Sequence, residues 1–133
     1  MSENINKIWG TRRRILLTDN SEIDLLYLKK DSFCSTHNHK QKSNKFVVIS
    51  GKVRIETEFA QQILKKNDSF TVKPPLIHRF FALEDSVMVE LAFTSNNIKI
   101  NENDILRISQ GGLIINGKEM TENELREKGM LGL

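Results

Sequence analysis

Short runs that alternate apolar and polar residues, separated by turn formers, fill most of this chain. Residues 12–17 (RRRILL) and 23–28 (IDLLYL) flank the turn cluster Thr18-Asp19-Asn20-Ser21. Further runs cover residues 33–39, 45–50 (KFVVIS), 53–57 (VRIET), 62–64, 69–73 (SFTVK), 77–82 (IHRFFA) and 87–93 (VMVELAF). Ser50-Gly51 sits between two of them and predicts a tight hairpin. No extended helical period precedes residue 100. Short strands at regular spacing predict an all-β sandwich or barrel.

The tail changes character. Asn101-Glu102-Asn103-Asp104 predicts the cap of a short turn that continues through Ile105-Leu106-Arg107. Residues 113–120 hold Asn116-Gly117, a two-residue hairpin signal. Thr121-Glu122-Asn123-Glu124 matches a capping box and predicts a short helix near 122–128, stopped by Gly129. The expectation is one domain over residues 1–133. Its barrel core spans about 12–93, and an extension over about 101–133 packs on the barrel or on a partner subunit.

Composition narrows the classes. The chain has 133 residues, 38% of them hydrophobic, enough for one compact core. The net charge is +3, and basic residues are spread out apart from Arg12-Arg13-Arg14. No basic stripe interleaves with aromatics, so a nucleic-acid partner is not expected. The arginine triplet reads as a solvated strand edge, with a phosphate or partner contact as the alternative. Cys34 is the single cysteine, so no internal disulfide is expected. No apolar run approaches ~18 residues, and Met-Ser-Glu-Asn-Ile-Asn lacks a signal-peptide core. These features point to a cytoplasmic protein without membrane contact.

Candidate chemistry concentrates in histidine. The chain has three, at His37 and His39 and, some way on, at His78 within Pro74-Pro75-Leu76-Ile77-His78-Arg79-Phe80. Residues at i and i+2 on a strand share a face. Phe33, Ser35, His37 and His39 therefore align, as do His78, Phe80 and Ala82. Converging inside a barrel, three imidazoles make half an octahedral shell and leave positions open for water or substrate. Neutral imidazole suits Mn, Fe, Co, Ni or Zn. The plainer reading is that strand histidines are structural or exposed. Cys34 has the opposite parity to His37, which sets it apart from the ligands unless a bulge intervenes.

Stretches 37–51 (HNHKQKSNKFVVISG) and 68–80 (DSFTVKPPLIHRF) resemble the two motifs of the cupin superfamily. The first motif there reads His-x-His, three or four residues, Glu, six residues, Gly. Gly51 keeps its place here, and Asn44 fills the Glu slot. The second motif reads Pro-x-Gly-x-x-His. Lys73 and Pro75 stand in its Pro and Gly slots, while Pro74 and His78 fit a common variant. The resemblance implies a small antiparallel β-barrel, a double-stranded β-helix or jelly roll, holding a divalent metal. Its ligands would be His37, His39 and His78, with Asn44 where the family has Glu. Asn brings a neutral carbonyl oxygen instead of a charge, so affinity should fall by about one or two orders of magnitude.

Trp9-Gly10, FVVISGKVRI, PPLIHRF, VMVELAF and NENDILRIS are similar to the cupin domain of type II mannose-6-phosphate isomerases, over about residues 9–109. That resemblance implies sugar-phosphate isomerase activity, which needs an electrophile and a base. Glu90 interrupts an apolar strand and is the candidate base, or else a solvent-facing position. Lys45, Arg54 and Arg79 are candidate phosphate contacts, or plain surface charges. Phe46 and Phe80 are pocket wall or core, and Glu56 and Glu58 are expected outside. His39-Lys40 with an amide at Asn44 also resembles nucleotide-sugar 3,4-ketoisomerases, which are single-domain cupins. A third reading is a barrel that binds a small sugar or acid without catalysis, because fold does not fix function. The expected partner is a small molecule, a sugar phosphate or nucleotide sugar. A homodimer is expected because such barrels tend to share an edge sheet.

Overall fold

The computed structural model describes residues 3–95 and 97–131. Strands β1 (Glu3–Lys7), β2 (Gly10–Leu17), β3 (Ser21–Leu28), β4 (Ser32–Phe33), β5 (Thr36–Asn38), β6 (Ser43–Ser50) and β7 (Lys52–Thr57) come first. They are followed by β8 (Gln61–Lys65), β9 (Ser69–Val72), β10 (His78–Ala82), β11 (Ser86–Phe93), β12 (Leu106–Ser109), β13 (Gly112–Ile115), β14 (Lys118–Thr121) and helix α1 (Glu122–Glu127). One six-stranded sheet runs β1-β2-β3-β11-β6-β9. An eight-stranded sheet runs β12-β5-β10-β4-β13-β14, with β7 joined to β10 and β8 joined to β7. The two antiparallel sheets form the expected cupin barrel, with one short helix at its C-terminal end.

Alternation decides what each strand buries. Leu26 and Leu28 on β3, Phe46 and Val48 on β6, Val53 and Ile55 on β7, and Phe80 and Ala82 on β10 meet between the sheets, with Trp9 and Met88. The same inward face turns polar toward one end. Met88 pairs with Leu26 and Val48, whereas Glu90 lies opposite Asp24 and Ala92 lies between Glu22 and Asn44. The barrel is therefore apolar at its floor and polar toward its mouth. At the floor end Gly51 turns the β6–β7 hairpin with φ of 89°, and a Cβ there would lie 2.2 Å from Ser86 Oγ. Only glycine fits both constraints.

Three local expectations change. Glu3–Lys7 is too polar to read as a strand, yet it pairs along β2 from Glu3↔Arg14 to Lys7↔Gly10, so the sheet begins before residue 12. The run 33–39 breaks into β4 and β5 around Cys34-Ser35. The turn expected through Ile105-Leu106-Arg107 ends earlier. Asp104 and Ile105 donate to the Asn101 and Asn103 carbonyls, and the chain then extends as β12 against β5. An edge strand's hydrogen bonds outweigh a weak local turn signal here.

The C-terminal extension forms the hairpin expected at Asn116-Gly117, both residues having positive φ. Thr121 caps α1 with both bonds of the capping box in place. The hairpin extends the larger sheet through β13–β4 pairing, beside an aromatic cluster on the sheet's outer face. On that face Phe33 and Phe81 lie 5.4 Å apart, and the Arg54 and Arg79 guanidinium groups stand 4.3 and 4.4 Å from the Phe81 ring centre. Arg79 then reaches Glu119 on β14 at 2.8 Å. No helix among the described residues is long and apolar enough to cross a membrane.

Phe81→Ala should lower unfolding stability by about 3–5 kcal/mol in denaturant titrations, since the ring is fully buried. Glu119→Gln, which removes only a half-exposed ion pair, should cost less than about 1 kcal/mol. Equal losses would show that the charge network, not packing, secures the outer face.

Candidate functional site

A cavity of about 640 Å³ opens at the polar end, between the two sheets. His37 lies in the middle of β5, and His39 follows one residue past its end, so period two puts both on the same side. His78 opens β10 directly opposite His37. The three rings lie 4.5, 5.0 and 5.5 Å apart between centres. One ring nitrogen from each falls within 4.8 Å of the other two, which makes a three-ligand group able to hold a metal ion.

The orientation of these rings has a simple cause. Nδ1 of His37 is 2.8 Å from the Ser35 carbonyl, Nδ1 of His39 is 2.6 Å from the Asp104 carbonyl, and Nδ1 of His78 is 2.9 Å from the Leu76 carbonyl. A carbonyl oxygen only accepts, so each Nδ1 carries the proton and donates it. Each Nε2 is left with a lone pair. Nε2 of His39 and Nε2 of His78 are buried and have no hydrogen-bond partner. Buried nitrogens without partners need a physical reason, and a cation bound between the rings supplies one.

Protonation is suppressed in parallel. Burial lowers His37 to about 3, helped by repulsion from His78 and His39. Burial also lowers His39 to about 4, although its bond to the Asp104 carbonyl works the other way. His78 is lowered by burial as well. All three are neutral near pH 7, the form that ligates metal.

Asn44 faces inward on β6 and is almost wholly buried. Its Nδ2 donates to Glu90 Oε2 at 2.6 Å, and its Oδ1 is buried without a partner. The amide is thus held with its oxygen uncommitted. Burial pushes the Glu90 carboxyl above its ordinary range, against the pull of Lys42 and Arg12. Asp104 anchors the other side of the site. Its carboxylate accepts from the backbone N–H of Lys40, Gln41 and Lys42 at 2.7, 3.0 and 3.2 Å. Those bonds hold Asp104 below the usual carboxylate range despite partial burial.

Glu90, Phe46 and Phe80 line the cavity together with His37 and His39. Lys45, Arg54 and Arg79 do not. Phe46 and His78 point inward, so their neighbours Lys45 and Arg79 point outward, and Arg54 lies between the inward Val53 and Ile55. Arg54 and Arg79 are engaged with Glu56 on the outer face, at 3.0 and 3.2 Å. Cys34 lies on the cavity wall after all, because the strand breaks beside it. Its Sγ accepts from the Phe80 N–H, and burial pushes the thiol up to about 12, so it is not a ready ligand.

The cavity instead takes its charge from residues read as surface. Arg12 and Arg14 face inward on β2, so the arginine triplet is only half an exposed edge. Glu22 and Asp24 face inward on β3. Burial and the adjoining Glu22 carboxylate push Asp24 up to about 7. The signal was there in SEIDLLYL, where Glu22 and Asp24 share parity with Leu26 and Leu28. Lys7 and Arg107 join from β1 and β12. Burial, then repulsion by Arg12 and Arg107, lowers Lys7, which shows three cations crowded at one side of the mouth.

Comparison with known proteins agrees with this architecture. A curated mannose-1-phosphate guanylyltransferase from Sinorhizobium fredii (strain NBRC 101917 / NGR234) is 25% identical over 101 residues, which cover 76% of this chain and 20% of that protein. The chain thus spans about a fifth of that relative. Among solved structures, KdgF from Halomonas sp. superposes with a TM-score of 0.61 at 20% identity, covering 65% of this chain and 80% of that one. Pac13, described as a nucleoside dehydratase, gives 0.69 at 16% identity, covering 82% and 86%. An RmlC-like cupin from Shewanella frigidimarina NCIMB 400 gives 0.65 at 15% identity, covering 72% and 86%. These superpositions establish the cupin fold. The family model for the mannose-6-phosphate isomerase C-terminal region matches residues 1–110. The chain therefore belongs to the mannose-6-phosphate isomerase C-terminal family.

Proposed function

We propose that the protein is a divalent-metal cupin that interconverts an aldose and a ketose, each carrying a phosphate. The observation that carries this reading is the set of three imidazoles whose Nδ1–H groups all face main-chain carbonyls, leaving their Nε2 lone pairs free, with one ring nitrogen of each within 4.8 Å of the other two. His37, His39 and His78 would hold the ion, with the unpartnered Asn44 oxygen as a further donor. A bound Mn, Fe, Co, Ni or Zn ion supplies Lewis acidity toward a carbonyl or hydroxyl oxygen.

The remaining work falls to the chain's own groups. Three histidines and one amide make a neutral ligand set. Glu90, bonded to the Asn44 amide, places an acidic group one bond behind it and offsets part of the missing charge. Lys7, Arg12 and Arg107 form the crowded cation set that a phosphate would relieve. The cavity is large enough for one hexose phosphate and is lined on one wall by Trp9, Phe46 and Phe80. A homodimer belongs to the same reading. The outer face of the six-stranded sheet exposes Tyr27, Ile49 and Phe93, which a second copy would cover.

The decisive assay incubates metal-loaded protein with mannose 6-phosphate and follows fructose 6-phosphate. Turnover is expected, and His78→Ala should lower metal affinity on the order of 100-fold and abolish turnover. Arg107→Met should raise KM by about 10-fold or more with little change in kcat, as loss of a phosphate contact does. A nucleotide-linked keto sugar converted without metal would favour the ketoisomerase reading. Ligand-induced thermal shift without turnover would leave a binding protein.

A second prediction concerns acid. His37 and His39 bind protons less readily folded than unfolded, so the unfolded chain gains protons first as pH falls. Their contribution to stability is complete above about 6.5, the unfolded imidazole value, and shrinks toward about 3 and 4. Between pH 7 and 4 this lowers the melting temperature of the metal-free protein, while Asp24, held up at about 7, acts in the opposite sense. His37→Gln should therefore lose less stability than the wild type over that window, and an identical pH dependence in the two proteins would show that His37 does not contribute.

A further inference from the structure

Three acids face the cavity from adjacent strands, and two of them are already engaged. Glu90 Oε2 accepts from the Asn44 amide at 2.6 Å. Glu22 Oε2 accepts from Arg14 Nε at 3.2 Å. Asp24 is 5% exposed, lies directly opposite Glu90 on the neighbouring strand, and lines the cavity. Its Oδ1 is buried without a hydrogen-bond partner, and its Oδ2 lies 3.8 Å from Arg12 Nε, too far for a hydrogen bond. Glu22 stands two residues away on the same face, close enough for one carboxyl to donate to the other. Two adjoining carboxyls out of water resist double ionisation, so one proton stays between them.

We infer that Asp24 is the proton-transfer residue of the cavity, holding one proton jointly with Glu22 and presenting its free oxygen to the substrate. The substrate side of this inference rests on the sugar-phosphate reading above. The groups facing the pair are Arg12 and Arg14 from β2, Glu90 from β11, Lys42 from the β5–β6 connection and, through Arg14, Glu102. Burial and Glu22 outweigh Arg12 and set Asp24 at about 7, where acid and base forms coexist near neutrality.

The step balances without another reagent. The Asp24 carboxylate takes the hydrogen from the hydroxyl-bearing carbon next to the carbonyl. The C–H pair becomes a C=C bond, and the carbonyl π pair moves to its oxygen. The hydroxyl proton then passes between the two substrate oxygens. The C=C pair takes the proton back from Asp24 at the former carbonyl carbon, and the other carbon becomes the carbonyl. Substrate and product are isomers, and Asp24 ends as it began.

The test uses the full chain with 13C-labelled carboxyls. In the metal-free protein one resonance should titrate at about 7, vanish in Asp24→Asn, and move down in Glu22→Gln. An Asp24 resonance titrating near the ordinary value of about 4 would overturn the inference. The zinc-loaded protein is then given mannose 6-phosphate in D2O. Deuterium should appear at C1 of the fructose 6-phosphate formed and at C2 of the recovered mannose 6-phosphate, and Asp24→Asn should slow this by about 100-fold or more with zinc affinity unchanged. Asp24→Glu, which keeps a carboxyl, should restore part of the rate. Exchange at the wild-type rate in Asp24→Asn also overturns it. If the wild-type protein exchanges nothing while Asp24 still titrates at about 7, the substrate reading fails and the shared proton stands.

Discussion

Side-chain alternation along antiparallel strands is the constraint on which this molecule is built. Each strand must put every second residue inside, and the inside is dry at one end and wet at the other. Across β3, β11 and β6 the rows read Leu26–Met88–Val48, then Asp24–Glu90–Phe46, then Glu22–Ala92–Asn44. The first row is core. The next two place acids and an amide where a larger apolar side chain would have closed the barrel. Stability comes from the floor and chemistry from the mouth, on the same three strands. A one-residue slip in any pairing would exchange the two faces and expose Leu26 while burying Leu25.

The imidazole geometry depends on main-chain carbonyls more than on side chains. Ser35 and Leu76 each lie two residues before the histidine they orient. A local backbone turn therefore orients His37 and His78, and the Ser35 hydroxyl adds a second contact to His37 Nδ1 at 3.0 Å. His39 is the exception, because its partner is the distant Asp104 carbonyl. The Asn44 position completes the picture. A Glu there would aim a charge at any ion held between the rings, whereas this chain has a neutral oxygen with a carboxyl behind it. The carboxyl has moved outward by one hydrogen bond, which weakens its pull on a cation, and burial raises it above its ordinary range.

Much of this could be read from residues alone. Turn formers marked most strands of the barrel core, and the i, i+2 histidines with Pro74-Pro75 before His78 located the cluster. Asn116-Gly117 and the Thr121 capping box placed the C-terminal hairpin and helix, because local chemistry dominates there. The cavity's charged lining was harder. Arg12 and Glu22 are ordinary surface residues by type, and only their shared parity with Trp-flanked and leucine-bearing strand faces turns them inward. Lys45, Arg54 and Arg79 were plausible by charge, but parity sends them out. β1 and β12 escaped notice for a related reason. Edge strands gain order from a neighbour's hydrogen bonds, which no local pattern records.

The bond between His39 and Asp104 joins residues 65 positions apart. The Asp104 carboxylate also accepts three backbone N–H bonds from the loop that follows His39. The six-stranded sheet can pair before the Asp104 segment arrives, since none of its ladders uses it, whereas β5 and β4 still wait for β12 and β13. The framework of that sheet can therefore form before His39 is aligned, which waits for chain beyond β11 to fold back. Any metal uptake by the three imidazoles would then come late in maturation, timed by a piece of chain that is not itself a candidate ligand.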